Sequence, residues 1–248
     1  MRIDVLFGPA ASAPSVIAGR VVVVIDVLRA STTIAVALAN GARNVVPLES
    51  ADEVITRAKQ FERSQVLLAG EHRMLPIAGF DIGNSPLEVT RERVEGATVL
   101  ITTTNGTAAF AGIQGARDVV VASFVNFSAI STLLRAALRG GTDVTILCAG
   151  RERQFSLEDA ACAGRYASDL VEHMPDVELG DGAFVCTLLN ARYGDQFDRL
   201  FAESEHGRAL ANAGFKDDLV LCAKLDAYPV IPLYQDRQIT VLGPDRER

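Results

Sequence analysis

Residues 21–25, Val-Val-Val-Val-Ile, run directly into Asp26. Five consecutive β-branched residues read as a strand buried on both faces. A carboxylate at the exit of such a strand must be paired, capped or chemically employed, because an unpaired buried charge is costly. Arg29 follows three residues later, and Ser31-Thr32-Thr33 opens a helical run in which Ser31 is the expected N-cap. Strand, acid, short loop with a guanidinium and helix N-terminus gather one carboxylate, one cation and free backbone N–H groups around a small volume. That setting suits an anion and a metal ion. A structural ion pair between Asp26 and Arg29 is the competing reading.

The same alternation continues along the chain. Strands are expected at residues 3–7, 45–48, 66–69, 98–102, 118–122 and 143–148, and helices at 51–61, 108–113, 126–138 and from 156 onward. Ser50 and Glu53 make a capping box, and Asn40-Gly41 closes the first helix. Residues 9–14 form a small-residue loop. Residues 75–86 form a long connection too apolar for disorder. Helices follow at 182–190, 196–201 and 205–213, and an antiparallel strand pair at 230–234 and 238–242 turns at Asp236-Arg237. The expected fold is α/β: three layers, a largely parallel sheet with helices on both faces, and C-terminal antiparallel strands. One domain over residues 1–248 is expected, with a weakly marked boundary near Pro175. In such sheets ligands bind at the carboxyl ends of the strands, and there the polar clusters fall: Asp26, Glu71, residues 103–107, Ser123 with Asn126, and Arg151 with Glu158 and Asp159.

Composition narrows the function classes. A net charge of −7 in 248 residues, without a Lys/Arg cluster, argues against nucleic acid. No apolar run is long enough to span a bilayer and no signal-peptide hydrophobic region is seen, so neither membrane attachment nor export is expected. Four scattered cysteines lack zinc spacing and read as reduced, buried thiols of a cytoplasmic protein.

The acids at strand ends are Asp26, Glu71, Asp81 and the pair Glu158-Asp159. Hard oxygens of this kind suit magnesium, which keeps water ligands and often shares substrate phosphate oxygens. Glu158 and Asp159 could equally serve the dipole of their helix, and Asp81 reads more readily as a turn cap. Arg29 and Arg151 can each grip an oxyanion bidentately; Arg73 and Arg153 read as solvated. Thr104-Asn105-Gly106-Thr107 offers backbone N–H groups and hydroxyls to an oxyanion, or is an ordinary turn. His72 is the histidine placed near the site, as an exposed loop residue; His173 and His206 fall in polar helical segments and receive no role. Several common phosphatase signatures fail. Cys148 and Cys162 are followed at the sixth position by Gln154 and Ser168, and Asp26 is followed two residues later by Leu28, not a second Asp.

Five blocks together resemble the 2-phosphosulfolactate phosphatase (ComB-like) family. They are residues 25–33, Ala69-Gly70-Glu71, residues 79–86 (Gly-Phe-Asp-Ile-Gly-Asn-Ser-Pro), Thr103-Thr104-Asn105-Gly106-Thr107, and Ser156-Leu157-Glu158-Asp159 with Cys162-Ala163-Gly164. The resemblance covers most of the chain. It implies an α/β fold and a magnesium-dependent phosphatase that releases phosphate from 2-phosphosulfolactate in coenzyme M synthesis. On the residues' own chemistry, magnesium is expected on Asp26 and one or more of Glu71, Glu158 and Asp159, with Asp26, Arg29 and Asn105 catalytic. Ser31, Thr32, Asn84, Thr104, Gly106, Thr107 and Arg151 would contact a small anionic phosphorylated substrate. A phosphatase for another small phosphorylated carboxylic acid, or a non-catalytic anion-binding protein, are the alternatives. A homo-oligomer is compatible with an enzyme of this size.

Overall fold

The strand expected at residues 21–25 forms, and both of its faces are covered. In a computed structural model describing residues 1–8, 14–152 and 154–243, eleven strands join in one sheet. They are β1 (Arg2–Leu6), β2 (Val21–Ile25), β3 (Asn44–Pro47), β4 (Val66–His72), β5 (Leu75–Pro76), β6 (Thr98–Thr102), β7 (Asp118–Ala122), β8 (Val144–Cys148), β9 (Glu178–Leu179), β10 (Pro232–Gln235) and β11 (Gln238–Val241). Their order is β5-β4-β6-β3-β11-β10-β7-β2-β8-β1-β9. β2 lies between β7 and β8, parallel to both, with Val21 opposite Asp118 on one side and Val144 on the other.

Successive side chains of a strand point to opposite faces. Val21, Val23 and Ile25 accordingly enter one apolar cluster with Ile130, Leu134, Tyr166 and Phe201. Val22 and Val24 enter another with Ile17, Ala109 and Ile113. Full burial of a Val or Ile side chain contributes roughly 1.5–3 kcal/mol, so β2 is anchored firmly where it delivers Asp26. The covering helices are α1 (Ala30–Ala39), α2 (Ala51–Ala58), α3 (Arg91–Val94), α4 (Phe127–Arg139), α5 (Leu157–His173), α6 (Asp181–Tyr193), α7 (Phe197–Glu203), α8 (Glu205–Asn212) and α9 (Lys216–Cys222). α1 is buried from Ala30 to Leu38. It packs with Val45, Val99, Ile101 and Val121, and its Ala, Ser and Thr side chains are small enough to permit burial on all sides. Among the described residues, no helix is long and apolar enough to cross a membrane.

The C-terminal hairpin is antiparallel, with Asp236 and Arg237 both at positive φ in its turn. Its place is central. β10 pairs with β7 and β11 pairs with β3, both antiparallel, so the hairpin joins two parallel groups, β7-β2-β8-β1-β9 and β4-β6-β3. Alternating polarity identifies a strand but not its neighbours.

Local details differ from the sequence reading. α1 starts at Ala30 with Arg29 as N-cap. Ser31 is not the cap: its Oγ accepts the Asp26 N–H at 2.8 Å. The helix expected over 108–113 is a 3-10 helix over Gly106–Gly112, a short stretch with a glycine at each end that does not favour an α-helix. The connection after residue 75 contains β5, which folds back on β4 through Glu71 opposite Pro76 and His72 opposite Leu75. α9 has no counterpart in the sequence reading. Arg153 and most of the loop expected at 9–14 lie outside the described residues.

Candidate active site

The carboxyl ends of β2, β4 and β6, the loop after β8 and the start of α8 meet at a cavity of about 220 Å³. Asp26, Leu28, Arg29, Glu71, Arg73, Met74, Asn84, Thr103, Thr104, Asn105, Arg151, Glu152 and His206 line it.

Asp26 is held by the start of α1. Its Oδ1 accepts the Ala30 N–H at 3.3 Å, and its carbonyl accepts the Ser31 N–H at 2.9 Å. Gly106 lies against it from the other side. A Cβ at that position would stand 2.6 Å from the Ala30 Cβ and 2.8 Å from Asp26 Oδ2, so glycine lets the 103–107 loop close on the acid. Burial pushes the Asp26 carboxyl up to about 6; His206 and the Ala30 N–H pull against this, and Glu71 and Glu158 add to it.

Glu71 fastens two loops. Its Oε1 accepts the Thr104 N–H at 2.7 Å, and its Oε2 accepts the Met74 N–H at 2.6 Å and the Thr104 hydroxyl at 3.1 Å. Asn105 Oδ1 accepts the Glu152 N–H at 2.8 Å. Asn84 sits behind α1, its carbonyl accepting the Thr33 hydroxyl at 2.9 Å. Its side-chain Oδ1 is buried without a hydrogen-bond partner, a costly state for an amide oxygen unless a ligand completes it.

The three guanidinium groups differ. Arg29 is not paired with Asp26. Its Nη1 lies 2.6 Å from Asp218 Oδ2, its Nη2 donates to the Met74 carbonyl at 2.8 Å, and it stacks 4.2 Å over the Phe215 ring. Arg151 pairs with Glu205 at 2.6 Å. Among the described residues, Arg73 makes no ion pair. It and Met74 form the two-residue β4–β5 turn at φ of 50° and 73°, a conformation that non-glycine residues adopt at a cost.

A family model described as 2-phosphosulpholactate phosphatase matches residues 9–237. A probable 2-phosphosulfolactate phosphatase of Symbiobacterium thermophilum is 44% identical over 230 residues, which is 91% of this chain and 96% of that protein. One of Carboxydothermus hydrogenoformans is 40% identical over 232 residues, covering 94% of this chain and 92% of that protein. The chain belongs to the 2-phosphosulpholactate phosphatase family. The family is one of phosphoric monoester hydrolases, so membership implies a small phosphorylated substrate.

Within this family member, the residues expected at the site divide into two groups. Asp26, Arg29, Glu71, Asn84, Thr104, Asn105 and Arg151 line the cavity, and Gly106 backs it. Ser31, Thr32, Thr107, Glu158 and Asp159 do not line it. Thr32 donates to the Val27 carbonyl and lies 2.7 Å from the Ser123 hydroxyl. Thr107 bonds back to Thr103. Asp159 accepts the Val27 and Gly150 N–H groups at 2.9 and 3.1 Å, clamping the loop after β2 to the loop after β8. Burial first, then the charges of Asp26 and Glu158, push its carboxyl well up. Asp81 caps the Leu68 N–H and pairs with Arg63, away from the cavity. The Cys-x5-Arg spacing does occur at Cys186 and Arg192, but both sit on α6, and burial pushes the Cys186 thiol up to about 12. It is no phosphate loop.

The histidine at the site is His206, not His72, which is exposed. Its Nδ1 lies 3.3 Å from Glu158 Oε1. Burial alone would raise the Glu158 carboxyl; the bond and charge of His206 outweigh it and hold the group below the usual range. No local signal marks His206. A lone histidine in a polar helix gains its meaning only when α8 packs against the start of α5.

Among the described residues, no three of His, Cys, Asp and Glu are grouped as a metal cluster. Asp26, Glu71 and Asn84 nevertheless line one cavity, and the Asn84 Oδ1 is buried without a partner. Two carboxylates and an amide oxygen are a donor set that fits magnesium, which commonly takes one or two carboxylates and completes its shell with water and substrate. Glu158 and Asp159 are committed elsewhere and fall outside that set.

Proposed function

We propose that this protein is a magnesium-dependent phosphatase that releases inorganic phosphate from 2-phosphosulfolactate. The carrying observation is the cavity that Asp26, Glu71 and Asn84 line together with three guanidinium groups. The relatives' names support the substrate. The reading makes the reaction a step of coenzyme M synthesis. A cytoplasmic setting suits the four free, buried thiols.

The substrate carries phosphate, sulfonate and carboxylate. Magnesium, held by Asp26, Glu71 and Asn84 Oδ1, would offset charge on the phosphoryl oxygens. The positive end of α1 and the locked Arg29 favour the same negative group. Arg73, at the rim, is available for the second anion. Arg151, whose Nη1 pairs with the exposed Glu205, lines the cavity beside it.

The test is phosphate release from 2-phosphosulfolactate with and without magnesium. Release that requires the metal is the expected result. Preferential release from phospholactate-like or phosphoglycolate-like esters would change the substrate. Tight binding with no release under any metal would make the protein an anion binder.

A further inference from the structure

His206 is the second residue of α8, whose N-cap Ser204 accepts the Gly207 N–H at 2.9 Å. This cap fixes the first turn of the helix and, with it, the direction of the imidazole. The side chain is 12% exposed and stands against Glu158, which is 2% exposed. His206 lines the cavity that contains Asp26 and also a neighbouring chamber of about 220 Å³ lined by Phe155, Ser156 and Glu158. His206 is thus shared by the two, together with Arg151 and Glu152. Nδ1 faces Glu158, and Nε2 has no hydrogen bond among the described residues. A histidine with one nitrogen anchored to a carboxylate and the other free is arranged for proton transfer.

Resting on the phosphatase reading, we infer that His206 is the acid that protonates the departing oxygen, and that Glu158 is its positioning residue. Hydrolysis of a secondary alkyl phosphate expels an alkoxide, a poor leaving group. The bond between phosphorus and the carbon-bearing oxygen breaks, and its electron pair stays on that oxygen. The Nε2 proton of imidazolium moves onto it, giving the alcohol and neutral imidazole. Water supplies one oxygen to the phosphoryl group, and the proton it releases restores imidazolium. The anchor on Nδ1 keeps Nε2 aimed at the cavity through both transfers.

The test compares His206→Asn with the unaltered enzyme on two magnesium-supported substrates. 2-Phosphosulfolactate needs an acid for its leaving group; 4-nitrophenyl phosphate releases a stable anion and needs none. The alkyl ester should lose about 10²–10⁴-fold in kcat, and the aryl ester less than about tenfold. Equal losses on the two esters, or an unchanged rate on the alkyl ester, overturn the inference. A second variant, His206→Ala, should regain turnover of 2-phosphosulfolactate as imidazole is added; absence of rescue also counts against it. Glu158→Gln should lower kcat while leaving KM and inorganic phosphate binding unchanged. A loss of phosphate binding would assign the pair to holding substrate instead. Silence of the unaltered enzyme on 2-phosphosulfolactate overturns the substrate reading, and the imidazole test then runs on whichever alkyl phosphate it cleaves.

Discussion

Asp218 Oδ2 lies 2.6 Å from Arg29 Nη1, and the two side chains are only 3% and 2% exposed. The other Asp218 oxygen accepts the Ser85 hydroxyl at 2.6 Å. One carboxylate on α9 therefore fixes the guanidinium at the cavity and the loop that carries Asn84. Asp218→Ala would leave a buried guanidinium without its counter-charge, a change that typically costs about 3–5 kcal/mol. Urea denaturation should show a loss of that size together with reduced turnover. A variant as stable as the unaltered protein would remove this pair from the framework of the site.

Asp26 carries a stability penalty that accompanies its function. Its folded-state value of about 6 exceeds the ordinary 3.8. Between those values the folded chain holds a proton that the unfolded chain has lost, so stability from this group is fully present below about pH 4 and is lost as pH rises through about 6. In metal-free protein at pH 8, Asp26→Asn should raise unfolding free energy by up to about 3 kcal/mol while abolishing turnover. The difference should vanish near pH 4. Rapid-quench trapping of an aspartyl-phosphate would show direct attack by Asp26, and its absence would leave the acid as a ligand.

Arg73 should govern affinity more than rate. A charge-assisted hydrogen bond contributes about 1.5–3 kcal/mol, so Arg73→Ala should raise KM for 2-phosphosulfolactate by roughly 10–100-fold. KM for 4-nitrophenyl phosphate, which lacks the second anion, should change little. A parallel rise for both esters would place Arg73 on the phosphoryl group.

Magnesium should stabilise the folded chain independently of turnover. A ligand at 100 times its Kd adds about 2.7 kcal/mol, which thermal unfolding detects. Glu71→Gln and Asn84→Ala should each shrink the magnesium-induced rise in Tm. An undiminished rise in both variants would place the ion elsewhere.

Much of the fold was legible in local pattern. The Val21–Ile25 run announced a two-faced strand, Ser50 capped its helix by accepting the Glu53 N–H although the Glu53 carboxylate takes the Glu49 N–H instead of closing the box, and the terminal hairpin paired antiparallel. The acids Asp26 and Glu71 did arrive at one cavity. Ser31, Thr32, Thr107, Glu158 and Asp159 do not line that cavity, and local pattern could not tell this, because a polar residue at a strand end serves loop backbone and substrate with the same donors and acceptors.

The periods of the chain, its punctuation by Asn, Gly and Ser, and its five blocks were enough to place most strands and helices and to point to the family, since each depends on neighbours a few residues apart. Three things needed the folded chain: the hairpin in the middle of the sheet, Asp218 rather than Asp26 as the partner of Arg29, and His206 against Glu158. Each joins segments far apart in sequence. Helix and strand periodicity carries no record of which distant side chain will be brought within hydrogen-bonding distance, and packing of the last helices onto the sheet makes that choice.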